Sequence, residues 1–139
     1  MSEFQRPRDT TQPIAVSFYE GFDGPTIRID TDSLNDIRKI EQIFQQLADN
    51  EIEGFELLSL PDLIADNIAR LTLRLVETER NHTVHQIDTH HFVWARDSEG
   101  WHDSAWLVSG ILANQHPGHQ YVSDGLKDNV LVMIAYRET

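Results

Sequence analysis

Residues 129–136 run Asn-Val-Leu-Val-Met-Ile-Ala-Tyr, a stretch with almost no polar side chains. It is too short to cross a membrane as a helix and is rich in sheet formers, so it reads as a strand covered on both faces. Such a strand needs paired neighbours along its edges and packed layers over its faces. The rest of the chain must therefore supply a sheet and something to cover it.

The remaining periodicities supply both. Ile14, Val16 and Phe18 alternate with Ala15, Ser17 and Tyr19, and Ile27 and Ile29 alternate with Arg28 and Asp30; Gly21-Phe22-Asp23-Gly24-Pro25 lies between, so a hairpin is expected. At Ser33 the period changes. Leu34, Ile37, Ile40, Phe44 and Leu47 recur at three- and four-residue steps behind a capping-box-like Ser33 and Asp36, which predicts a helix ending near Asn50. Between 51 and 68 only Phe55, Leu57, Leu58 and Leu60 suggest a short strand, stopped by Pro61.

Further on, Leu71 to Leu75 reads as a strand, residues 79–81 as a polar turn, and residues 83–96 as one long strand. A second helix follows Asp97-Ser98-Glu99-Gly100, with Trp101, Ala105, Val108, Ile111 and Leu112 on one face, and stops before His116-Pro117-Gly118. Gly118-His119-Gln120-Tyr121 is expected as an exposed connecting loop. The pattern predicts an α+β fold of two layers: a mixed, mainly antiparallel sheet of five to six strands with two helices packed on one face. Residues 1–13 read as a loose segment and 14–139 as a single globular domain. Residues 14–50 and 71–115 carry similar elements but no shared sequence pattern, so no repeat is inferred.

Charge narrows the partners. A formal net charge of −12 on 139 residues opposes phosphate backbones, so direct nucleic-acid binding is not expected. Between Thr31 and Asp66 nine carboxylates face only Arg38 and Lys39, which makes Glu51, Glu53 and Glu56 candidates for docking a basic partner. No segment reads as an export signal or membrane span, so a cytoplasmic protein is expected. Cysteine is absent, which removes disulfides, thiolate metal sites and thiol nucleophiles.

All seven histidines and all three tryptophans fall between 82 and 119. The spacings His82-x-x-His85 and His116-x-x-His119 raise metal binding, with Asp88, Asp97 or Asp103 as further ligands; His116 and His119, flanking a Pro-Gly turn, are the easier pair. His90 and His91, on one strand, would face opposite sides. Ser104 and Ser109 lie in the second helix without a nucleophile elbow, and no phosphate-binding glycine motif occurs, so no cofactor is expected. Trp101 belongs to the apolar stripe, whereas Trp106 lies off it and is the better ligand contact. Trp106, His116, His119 and Tyr121 are therefore the candidate recognition residues.

The expected function is that of a non-catalytic acidic protein engaging a basic protein partner. It is immunity- or inhibitor-like only by analogy of size and charge. The alternatives are a histidine/carboxylate metal-dependent enzyme or ligand-binding domain centred on 82–119, and a homo-oligomeric structural subunit.

Overall fold

The computed structural model describes residues 14–78, 83–123 and 130–138. The loose segment expected at 1–13 and the turn expected at 79–81 lie outside these, as does His82. Strand β1 (Ala15–Gly21) turns through Phe22-Asp23 into β2 (Gly24–Thr31), the expected hairpin. Helix α1 (Leu34–Ala48) begins where the Ser33 side chain accepts from the Asp36 N–H, and it buries Ile37, Ile40, Ile43, Phe44 and Leu47. The region of weak pattern then gives β3 (Gly54–Glu56), a 3-10 turn (Leu57–Ser59) and β4 (Ile64–Asp66), followed by β5 (Arg70–Leu75).

Residues 83–96 differ from expectation. Two strands, β6 (Thr83–Asp88) and β7 (His91–Arg96), form an antiparallel hairpin turning at Thr89-His90. This turn has no Gly, Pro or Asn to announce it. Side chains make it instead: Asp88 accepts from the His90 N–H at 3.2 Å, and the Gln86 amide donates to the Thr89 carbonyl at 2.7 Å. Helix α2 (Ser98–Asn114) follows, with Asp97 accepting from the Gly100 N–H at 2.8 Å. The expected loop at 118–121 is a short strand, β8 (Gly118–Tyr121), because its backbone pairs antiparallel with β9 (Leu131–Tyr136).

Among the described residues the class is α+β with two helices, as the pattern predicts, but the strands are more numerous and divide between two mixed sheets. The first has the order β4-β1-β2-β9-β8 and the second β3-β5-β7-β6. Residues 131–136, the most apolar run, form an interior strand between β2 and β8.

The two sheets are built by exchange. The hairpin β1–β2 is extended by the pair β8–β9 from the second half of the chain, through parallel pairing of Thr26–Thr31 with Leu131–Tyr136. The hairpin β6–β7 is extended by β3–β5 from the first half, through parallel pairing of His91–Arg96 with Arg70–Leu75. Each half thus runs hairpin, helix, strand pair, and each helix carries the chain from one sheet to the other. Several positions of the halves correspond in burial: Val16 matches Val84, Ile27 matches Phe92, Ile29 matches Trp94, and Leu71 and Leu73 match Val132 and Ile134, all of them buried. Strand β4, which pairs parallel with β1, belongs to the first half alone among the described residues.

One core serves both sheets. Phe18 of the first sheet meets Phe92 of the second at a ring separation of 4.7 Å. Phe44 on α1, Trp94 on β7 and Trp101 on α2 form a three-ring cluster with centroids 4.7 to 5.3 Å apart. The helices pack on each other, with the Ser109 hydroxyl donating to Glu41 and the Ser98 hydroxyl to the Ala48 carbonyl at 2.5 Å. No described helix is long and apolar enough to cross a membrane.

Candidate functional site

Strand alternation decides where the candidate residues go. On β8 successive side chains point to opposite faces of the first sheet. His119 and Tyr121, opposite Ala135 and Met133 of β9, share the face that carries Arg28 and Asp30 of β2. Gln120 points the other way, toward α2, where it lines a hollow of about 360 Å³ with Trp106, Leu107, Ser109, Gly110 and Ala113. Trp106 is 71% exposed and Trp101 is buried, as helix position predicts. The structure therefore brings His119 and Tyr121 together and places Trp106 on the opposite side of the same strand. His116 is exposed in the turn between α2 and β8.

His119 and Tyr121 belong to a polar chain across the outer face of the first sheet. The His119 Nδ1 lies 2.6 Å from Glu138 Oε2, and Arg28 lies 3.3 Å from the other carboxylate oxygen of Glu138 and 3.4 Å from Asp30. Arg28 also donates to the Glu138 backbone carbonyl at 3.1 Å. Glu138 reaches this position because Arg137 takes a left-handed conformation at φ 51°, turning the chain back over β9. Beyond His119 the ring of Tyr121 stands edge-on at 5.8 Å, and its hydroxyl donates to Asp23 in the β1–β2 turn at 3.4 Å.

Burial raises the Asp30 carboxyl above its ordinary value, with Arg28 pulling against it and Asp32 and Glu138 adding to it. The Tyr121 phenol is likewise raised, first by burial and then by the negative charge of Asp23, which also accepts its hydrogen bond. The sequence placed Arg28 and Asp30 on the face opposite Ile27 and Ile29. Nothing in it signalled Glu138, whose position depends on the backbone turn at Arg137.

A second constellation holds the acidic candidates. Two adjoining hollows, of about 510 and 570 Å³, share Glu77 and Ser98 where the end of α1, the end of β5 and the first turns of α2 meet. Glu53, Glu77, Glu99, Asp103 and His102 line them, with Leu75 and Val76 in the first, and no Lys or Arg is among the described lining residues. Glu51 is exposed beyond α1. Glu56 has a different environment: its carboxylate accepts from the N–H groups of Leu58 and Leu71 and from the Thr72 hydroxyl, and it pairs with Arg70 at 3.3 Å.

The chain matches no family model, no curated protein and no solved structure. Its function must be argued from these surfaces.

Among the described residues no three His, Asp or Glu side chains gather in a way that could hold a metal ion. His91 lies 3.2 Å from the Thr72 hydroxyl and His90 3.4 Å from the Asn67 carbonyl, away from His116 and His119. Ser104 is buried, donating to the Val122 carbonyl and accepting from Arg96. Ser109 is engaged by Glu41.

Proposed function

We propose that the protein is an acidic binding module whose groove between α1, β5 and α2 receives a basic segment of a protein partner. The observation that carries this reading is the continuous pair of hollows lined by Glu53, Glu77, Glu99 and Asp103, with no described Lys or Arg to neutralise them. The summed field of these exposed carboxylates raises the encounter rate of a cationic partner. Leu75 and Val76, which line the first of the two hollows, offer the aliphatic stems of Lys or Arg an apolar contact. Glu51 lies beside the groove in sequence, whereas Glu56 is occupied within the fold.

The test is titration of a labelled Lys/Arg-rich peptide into the wild-type protein and into a Glu53→Lys, Glu77→Lys, Asp103→Lys variant. Binding should weaken as salt rises, and the variant should lose at least tenfold in affinity. Equal affinity for the two proteins would overturn the reading.

A further inference from the structure

The tip of the β1–β2 hairpin carries the most exposed apolar side chain of the described residues. Phe22 has a relative exposure of 105% and Tyr19 of 37%. A two-residue hairpin turn ordinarily takes Asn, Asp or Gly, so a phenylalanine there contributes nothing to the turn and leaves its whole ring in water. The tip is nevertheless held in place. Asp23 is bonded by the Tyr121 hydroxyl from β8, and the Thr26 hydroxyl donates to the Gly24 carbonyl at 2.9 Å. Tyr19 folds its ring over Gly21: a Cβ added there would stand 3.1 Å from Tyr19 Cε2 and 3.0 Å from Thr26 Oγ1.

Tyr19 of β1 and Tyr121 of β8 thus share one face of the first sheet near Asp23, and the Phe22 ring projects from the same turn into solvent. The nearest described cation in the chain of contacts, Arg28, is already engaged by Asp30 and Glu138. Aromatic faces and carboxylates held together attract a cationic side chain through the ring quadrupole and through charge. The Asp23 carboxylate, held at the turn by the Tyr121 hydroxyl, attracts an incoming cation by its charge. The tip is convex, so a small free cation would leave Phe22 wet; only a partner's surface can cover it.

We propose that Tyr19, Phe22, Asp23 and Tyr121 form an anchor at the hairpin tip that docks an arginine or lysine side chain, with its surrounding apolar surface, on a basic protein partner. This rests on the reading of the protein as a binder of basic partners, and adds a contact separate from the groove.

The experiment titrates an Arg- and aliphatic-rich peptide into the wild type, Phe22→Ala, Asp23→Asn and the groove variant, with nuclear magnetic resonance shifts locating the contacts. A Gly21→Ala protein, in which the Tyr19 ring must move, serves as a second tip variant. Phe22→Ala should weaken binding at least fivefold at an unchanged thermal midpoint, and shifts should appear at Tyr19, Phe22 and Tyr121. If all three tip variants bind as the wild type does while the groove variant fails, the anchor is overturned and the groove reading stands. If the tip variants fail and the groove variant binds normally, the anchor stands and the groove reading falls. Absence of any binding by the wild type, or Phe22-dependent binding to phosphatidylcholine vesicles instead of the peptide, overturns the anchor.

Discussion

Asn50, just beyond α1, and Gln115, at the end of α2, share one left-handed backbone conformation, with φ of 60° and 56°. The two positions correspond in the two halves of the fold. Asn bears this conformation at small cost because its short side chain bonds locally, whereas Gln does not. Gln115→Gly should therefore raise the urea midpoint by the equivalent of about 1 kcal/mol, and Asn50→Gly by less. A lowered midpoint for Gln115→Gly would mean that the glutamine side chain contributes more than its backbone strain costs.

The tryptophans of α2 should separate cleanly. Trp101 is buried against Phe44 and Trp94 and donates its indole N–H to the Arg74 carbonyl at 2.9 Å. Trp101→Ala should cost about 3–5 kcal/mol in chemical denaturation. Trp106→Ala, on the exposed side of the helix, should stay within about 0.5 kcal/mol while removing a solvent-exposed component of the fluorescence. Comparable losses from the two would contradict the assignment of faces.

Glu56 should behave as a structural residue. Its carboxylate ties the 3-10 turn to the start of β5, and its loss leaves the Leu71 N–H and the Thr72 hydroxyl without that acceptor. Glu56→Ala is expected to cost about 1–3 kcal/mol, and Glu51→Ala to stay within about 0.5 kcal/mol. Equal midpoints for the two variants would refute this division of the acidic candidates.

Asp30 gives a pH dependence of defined sign. Burial raises its carboxyl above the ordinary value, so the folded state holds that proton more tightly than the unfolded one. Its contribution to stability is present in full below the ordinary value of 3.8 and is lost as pH rises through the raised folded value. The stability of Asp30→Asn relative to the wild type should therefore improve as pH is raised across the carboxylate range. Urea midpoints taken at intervals from about pH 3.5 to 7 would check this, and a constant or worsening difference would reject it.

The elements legible in the sequence were those whose signal is local. Helix α1 was announced by Ser33 and the spacing of Ile37, Ile40, Phe44 and Leu47, and the first hairpin by alternation around a glycine-flanked turn. The second hairpin was hidden because its turn depends on the Asp88 and Gln86 side chains rather than on glycine or asparagine. β8 was hidden because four residues including Gly118 and His119 become a strand only against the backbone of β9. The correspondence of the two halves was not legible in the sequence because matching positions share burial while residue identity and size differ, as with Ile29 and Trp94. The same reasoning applies to the surfaces. Alternation placed the first hairpin, whereas Tyr121, expected in a loop, reached its face only through the pairing of β8 with β9, and the groove needed Glu53, Glu77 and Asp103 from three separate stretches of chain to come together.

The exchange of strand pairs between halves has a kinetic consequence. As the polypeptide emerges from the ribosome, β1 and β2 form at once from local contacts, yet the edge of β2 stays uncovered until β9 has been synthesised. The second sheet closes earlier, because β3 and β5 are already waiting when β6 and β7 appear. The nascent protein should therefore pass through a stage in which one sheet is complete and the other offers a strand edge of unpaired backbone N–H and C=O groups. In that interval a chaperone, or a neighbouring copy on the same messenger, would find it most accessible.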